Sequence, residues 1–107
     1  MKIFNHVQIK VKDLKTSRRF YDAIMDVLGY PVVLESKDIV VGYGTRVHDM
    51  FEIRQFDEKA LLSQSLHLAF NASSEESVDA FYRVALANGA KCNGKPGFRP
   101  DYEEGYY

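Results

Sequence analysis

The chain carries one pattern twice. His6-Val7-Gln8-Ile9-Lys10-Val11 opens the first copy, and His67-Leu68-Ala69-Phe70-Asn71-Ala72 opens the second, 61 positions later. In each copy an aromatic pair follows 14 residues after the histidine, Phe20-Tyr21 and then Phe81-Tyr82. A glycine closes each unit, Gly29 and Gly89. A pattern recurring at fixed spacing is one supersecondary unit used twice. It restricts the fold to a pseudo-symmetric arrangement and puts two histidines at equivalent places in it.

Hydrophobic periodicity fills in the units. Residues 3–11 alternate, with Ile3, Val7, Ile9 and Val11 on one side and His6, Gln8 and Lys10 on the other, which predicts a strand. Asp13 is a good N-cap for a helix over 14–28 whose apolar stripe is Phe20, Tyr21, Ile24, Val27 and Leu28. Gly29 suits the position after the helix, and Pro31 prevents its continuation. Residues 31–35 and 38–43 read as short strands around a Ser36-Lys37 turn, and 49–56 as a further strand. Gly42 and Gly44 bracket Tyr43, where a bulge or a close backbone approach is expected.

Residues 57–64 are a polar connection between modules. The second module opens with an expected strand at 65–72. Ser73-Ser74-Glu75-Glu76 resembles a capping box for a helix over 74–88, with Val78, Phe81, Tyr82 and Ala85 as its stripe. Residues 93–100 are loop by composition, and Asp101–Tyr107 read as the start of another strand. Module one, 1–57, is therefore β-α-β-β-β. Module two, 65–107, is β-α and lacks roughly a hairpin. The expected class is α+β, a single domain over 1–107 built from two βαβββ modules, the second incomplete.

Composition narrows the function classes. A chain of 107 residues is one domain, and 46% hydrophobic with 27% charged residues is an ordinary soluble balance. The net charge of −1, without a dominant Lys/Arg cluster, argues against a nucleic-acid partner. One cysteine, Cys92, excludes an intrachain disulfide and points to a reducing compartment. No apolar run approaches a membrane span, and no signal peptide precedes the first strand pattern. A cytoplasmic location is expected.

The alternation also fixes directions. If Val7, Ile9 and Val11 meet the helix, His6 projects from the opposite face. The same holds for His67 against Leu68 and Phe70. Glu52 shares that helix-free side, since Phe51 and Ile53 flank it on the other. Two imidazoles and a carboxylate are a common ligand set for Zn, Ni, Mn or non-haem Fe. The ordinary alternatives are a satisfied polar strand histidine and a salt-bridged surface glutamate. His48 reads as exposed in a turn, and Cys92 as a packed small residue rather than a nucleophile. The Phe-Tyr pairs read as core. Tyr102, Tyr106 and Tyr107 suit either a pocket lining or partial packing.

Taken together, these residues resemble a known family. His6-Val7-x-Ile9-x-Val11-x-Asp13-Leu14-x-x-Ser17-x-x-Phe20-Tyr21, then Leu28-Gly29-Tyr30, is similar to the opening of the vicinal oxygen chelate superfamily. That group contains glyoxalase I, bleomycin- and fosfomycin-resistance proteins and extradiol dioxygenases. The resemblance continues through Val41-Gly42-Tyr43-Gly44, His67-Leu68-Ala69-Phe70 and Val78-Asp79-Ala80-Phe81-Tyr82. It ends in Asn93-Gly94-x-Pro96-Gly97-x-Arg99-Pro100 and Gly105-Tyr106-Tyr107. It covers nearly the whole chain and is specific for the superfamily, not for one activity.

The resemblance implies a curled mixed sheet, a cup with the helices on its outer face, around a divalent metal. Ligands in the family come from the first strand of each module, where His6 and His67 stand, and from the last strand, where Glu52 stands in the first module. The last strand of the second module has no counterpart here, so three candidate ligands remain. The implied chemistry is Lewis-acid activation of a small oxygen-bearing substrate, with Glu52 moving protons as the catalytic carboxylate. The alternatives are a metal-free small-molecule binder of the resistance type, or an inactive shortened member. A shortened member would fold by pairing with a second copy, so a homodimer is expected.

Overall fold

The computed structural model describes residues 3–58 and 61–107. The elements, in chain order, are β1 (His6–Val11), α1 (Leu14–Leu28), β2 (Val32–Ser36), β3 (Val40–Arg46), β4 (Asp49–Gln55) and α2 (Glu75–Ala87).

Local chemistry sets the ends of α1. Asp13 is extended at φ −138° and accepts the Lys15 N–H at 3.2 Å and the Thr16 hydroxyl at 2.8 Å. This gives first-turn donors a partner they lack within the helix. At the other end Gly29 turns left-handed at φ 81°, where a side chain would be strained. Its N–H returns to Asp26 O, and that of Tyr30 to Met25 O at 2.9 Å. Ile24 and Met25 are the side chains that α1 buries most completely.

The sheet order is β1-β4-β3-β2. β1 runs parallel to β4, and the other pairs are antiparallel. Ile9, Val11, Val41, Tyr43, Phe51 and Ile53 form one face and pack with Leu14, Ile24 and Met25 of α1. α2 lies against α1 and adds Ala85 to the same core. The Gln55 side chain ties β4 to the turn before α1, accepting the Leu14 N–H at 2.8 Å and donating to Lys12 O at 2.9 Å. On the opposite face, by alternation, lie His6, Gln8, Lys10, Met50, Glu52 and Arg54.

Several expectations need correction. β1 starts at His6, not at residue 3, and Ile3 is 91% exposed. Its parallel partner begins only at Asp49, so Ile3 has no ladder to join. The helix N-cap of the second module is Ser74, whose hydroxyl oxygen accepts the Ser77 N–H at 3.1 Å. Ser77, not a glutamate, occupies the third helical position, so there is no reciprocal capping box. Cys92 is exposed rather than packed.

The largest difference is at 65–72, which forms no strand. A strand exists through its neighbour, and in the first module that neighbour is β4. Among the described residues, no strand stands in the equivalent place for 65–72. Just before the segment the Lys10 N–H donates to Ser63 Oγ at 2.8 Å and the Ser63 N–H donates to Lys10 O at 3.4 Å, and within it Asn71 O accepts the Tyr30 hydroxyl at 2.9 Å. Its alternation survives in side chains only. The Phe70 ring meets Phe51 edge-on at 5.1 Å, while Leu66 remains 53% exposed. For the same reason Asp101–Tyr107 forms turns instead of a strand. The chain is folded back by the Arg99 N–H donating to Tyr106 O and by the Tyr107 hydroxyl donating to Asp79 at 2.7 Å. No helix among the described residues is long and apolar enough to cross a membrane.

Candidate functional site

The parallel register of β1 and β4 sets Gln8 opposite Glu52. Gln8 Nε2 donates to Glu52 Oε1 at 3.0 Å, and Lys10 Nζ donates to Gln8 Oε1. His6 lies one same-face position before Gln8, and its Nε2 is 3.9 Å from Glu52 Oε1. The Glu52 side chain is 6% accessible and that of His6 is 49% accessible. Taking a carboxylate out of water is costly unless it is paired. Here the Gln8 amide provides that partnering.

Gly42, the β3 partner of Glu52, explains how the carboxylate is enclosed on the helix-free face. A Cβ at Gly42 would lie 2.7 Å from Met50 Sδ, 3.2 Å from Leu34 Cβ and 3.5 Å from Glu52 Cγ. The absent side chain therefore leaves the space in which Met50 and Leu34 close beside the Glu52 stem.

The His6 ring is held from its other side. Its Nδ1 is 3.0 Å from Asn5 Oδ1, and Asn5 Nδ2 is 3.3 Å from His48 Nδ1. Asn5 reaches this position because Met50, at the start of β4, donates its N–H to Asn5 O at 3.2 Å. His48 is exposed, as its turn position predicts, but it is not idle. The sequence signal for it was only its place just before β4. Its nearness to Asn5, 43 positions away, depends on parallel pairing.

His67 is exposed on the unpaired segment. Among the described residues, no group of three or more His, Cys, Asp or Glu is placed to hold a metal ion. The fold thus brings His6 and Glu52 together and leaves His67 apart from them.

A separate cavity of about 580 Å³ lies on the helix side. Ile9, Tyr21, Leu68, Phe70, Phe81 and Ala85 are among its walls. The pair of His6 and Glu52 does not line it. At its rim the Tyr82 hydroxyl donates to Cys92 Sγ at 3.0 Å, and the Gly94 N–H donates to the same sulfur at 3.4 Å. Tyr82 first, then the Gly94 amide and the Lys95 charge, hold the Cys92 thiol below its ordinary pKa.

The sequence profile described as Glyoxalase/Bleomycin resistance protein/Dioxygenase superfamily matches residues 3–104. A glyoxalase/bleomycin resistance protein from Albidiferax ferrireducens T118 is 33% identical, with a TM-score of 0.77 over 92% of this chain and 82% of that one. A candidate glyoxalase from Bacillus halodurans is 25% identical, with a TM-score of 0.64 over 83% of this chain and 71% of that one. An S. aureus protein, SA1046, shares the fold at 16% identity, with a TM-score of 0.65 over 92% of this chain and 79% of that one. No curated protein matches.

Proposed function

Because the chain belongs to the Glyoxalase/Bleomycin resistance protein/Dioxygenase superfamily, we propose that it is a divalent-metal-dependent enzyme acting on a small oxygen-bearing substrate. His6 and Glu52 would hold the metal, and His67, which lies apart from them in this structure, would be the third ligand. The supporting observation is the approach of His6 Nε2 to the enclosed Glu52 carboxylate at 3.9 Å. An imidazole nitrogen and a carboxylate oxygen suit Zn, Ni, Mn or Fe. When bound, such an ion supplies Lewis acidity that stabilises charge on a substrate oxygen.

The chain's own groups do the rest. Gln8 holds Oε1 of Glu52 by its amide, which fixes the rotation of the carboxylate. Oε2 is left to take a proton from the substrate as general base. Water has little access to the Glu52 side chain, which is 6% exposed. The stretch 65–70, without a backbone hydrogen bond among the described residues, favours assembly as a homodimer, which light scattering in solution checks by a doubled mass.

A second reading, a metal-free small-molecule binder of the resistance type, is favoured by the lack of a third His, Cys, Asp or Glu beside His6 and Glu52 among the described residues. Titration of untagged protein with Zn²⁺ or Ni²⁺, with elemental analysis, separates the two. One equivalent per chain, lost in His6→Ala and Glu52→Gln and weakened in His67→Ala, supports the metal enzyme. Binding that is absent, or unchanged in these variants, supports the metal-free binder.

A further inference from the structure

We infer that Asn5, backed by His48, is the positioning residue that sets the tautomer of His6 and turns its Nε2 lone pair toward Glu52. The inference deepens the proposal above, since it assigns the groups that prepare His6 to bind a cation.

It follows from what each atom can give. An amide nitrogen only donates, so Asn5 Nδ2 makes His48 Nδ1 the acceptor of their 3.3 Å bond. An amide oxygen only accepts, so His6 Nδ1 must carry the proton in its 3.0 Å bond to Asn5 Oδ1. A neutral imidazole has one N–H. With that hydrogen on Nδ1, the His6 Nε2 keeps its lone pair. The amide therefore sets its two rings in opposite senses: His48 accepts at Nδ1 and His6 donates from Nδ1.

The consequence at the site is specific. In the neutral ring the Nε2 lone pair faces Glu52 Oε1 at 3.9 Å, with no hydrogen on the nitrogen to share. Two acceptors in that relation repel each other, and a cation between them satisfies both. Glu52 cannot turn away freely, because Gln8 holds the same Oε1 at 3.0 Å. Metal-binding histidines commonly donate their second ring N–H to an oxygen that fixes tautomer and orientation. Asn5 Oδ1 makes that contact here. The support matters because the His6 side chain is 49% accessible, and an exposed ring is otherwise free to rotate and exchange tautomers.

The test reads the tautomer directly in metal-free protein. Long-range ¹H–¹⁵N spectra of chelator-treated protein at about pH 8.5, where free imidazoles are neutral, distinguish the protonated ring nitrogen from the bare one. Wild type should show His6 protonated at Nδ1 and His48 protonated at Nε2. Asn5→Ala should give His6 a mixed or reversed tautomer. Asn5→Asp retains an oxygen for His6 and loses the donor to His48, so it should restore the His6 tautomer alone. In Zn²⁺ titrations Asn5→Ala should weaken affinity by about tenfold or more, the scale seen for such outer partners. A wild-type His6 protonated at Nε2, or a tautomer unchanged in Asn5→Ala, would overturn the inference. Failure of wild type to bind metal would sink the proposed function while leaving the tautomer result to stand by itself.

Discussion

Gly44→Ala should cost far more stability than Gly42→Ala, although the two glycines sit two residues apart on one strand. Neither has a positive φ, so backbone preference does not separate them. Space does. A Cβ at Gly44 would lie 2.0 Å from Asp49 O and 2.8 Å from Met50 Cα, both backbone atoms of β4. No rotamer change relieves that overlap. β3 and β4 must part where Gly44 pairs with Met50 and Arg46 with Asp49. Losing about two ladder bonds at ~1 kcal/mol each, with overpacking of about 1–3 kcal/mol, gives a total of about 3–5 kcal/mol. At Gly42 the nearest atom is Met50 Sδ at 2.7 Å, the movable end of a flexible side chain. Leu34 Cβ at 3.2 Å needs to yield only slightly. The strain, about 1 kcal/mol, is partly offset by the ~0.4–1 kcal/mol gained from a less flexible unfolded chain.

A domain of ordinary stability holds about 5–15 kcal/mol, so Gly44→Ala should shift the urea midpoint strongly or unfold the protein. Gly42→Ala should stay within about 1 kcal/mol of wild type. Urea unfolding followed by far-UV circular dichroism, with m held equal, measures both. If Gly44→Ala loses less than about 1 kcal/mol, or no more than Gly42→Ala, the steric reasoning is wrong.

Other outcomes follow from groups nearby. Burial, and then the 2.7 Å bond to Asp22, raise the Tyr43 phenol pKa far above its ordinary value. Above about pH 10 the unfolded phenol ionises while the folded one keeps its proton, so stability falls with rising pH by up to ~1.4 kcal/mol per unit. Tyr43→Phe should flatten that alkaline loss in denaturation curves, and an unchanged slope would contradict the assignment. Tyr82→Phe removes the main group that favours the Cys92 thiolate, so iodoacetamide should alkylate Cys92 more slowly near neutral pH. An equal rate would show that the 3.0 Å contact does not persist in solution.

Much of the first module was legible because its signals are local. Asp13 and Gly29 mark the ends of α1 by their own chemistry, and the alternation through Ile9 and Val11 puts β1 on the right face. The same alternation put Glu52 with His6 and Gln8. Its enclosure was not legible, since that depends on Gly42 leaving room for Leu34 and Met50 from other strands. Asn5 and His48 were missed for a similar reason. Their contact comes from the parallel register of β1 and β4, which periodicity does not specify. Residues 65–72 mislead in the opposite direction. Their pattern matches β1, but a pattern makes a strand only when another strand lies alongside.

The two repeated histidines therefore differ through their surroundings, not their local sequence. His6 stands on a paired strand, with a carboxylate on one side and an amide on the other. His67 stands on backbone that, from Ser65 to Phe70, makes no backbone hydrogen bond among the described residues. If His67 is the third metal ligand, binding must fix this stretch as well as the ion, and the ordering opposes affinity by about 1–2 kcal/mol per residue newly held. Hydrogen exchange reads that coupling. Without metal, the amides of 66–69 should exchange quickly while those of Phe51 and Ile53 in the central strand β4 are protected. Added Zn²⁺ should slow exchange at 66–69 in wild type and leave it fast in His67→Ala. Zn²⁺ that binds at His6 and Glu52 without slowing exchange at 66–69 would remove His67 from the ligand set and confine the site to the first module.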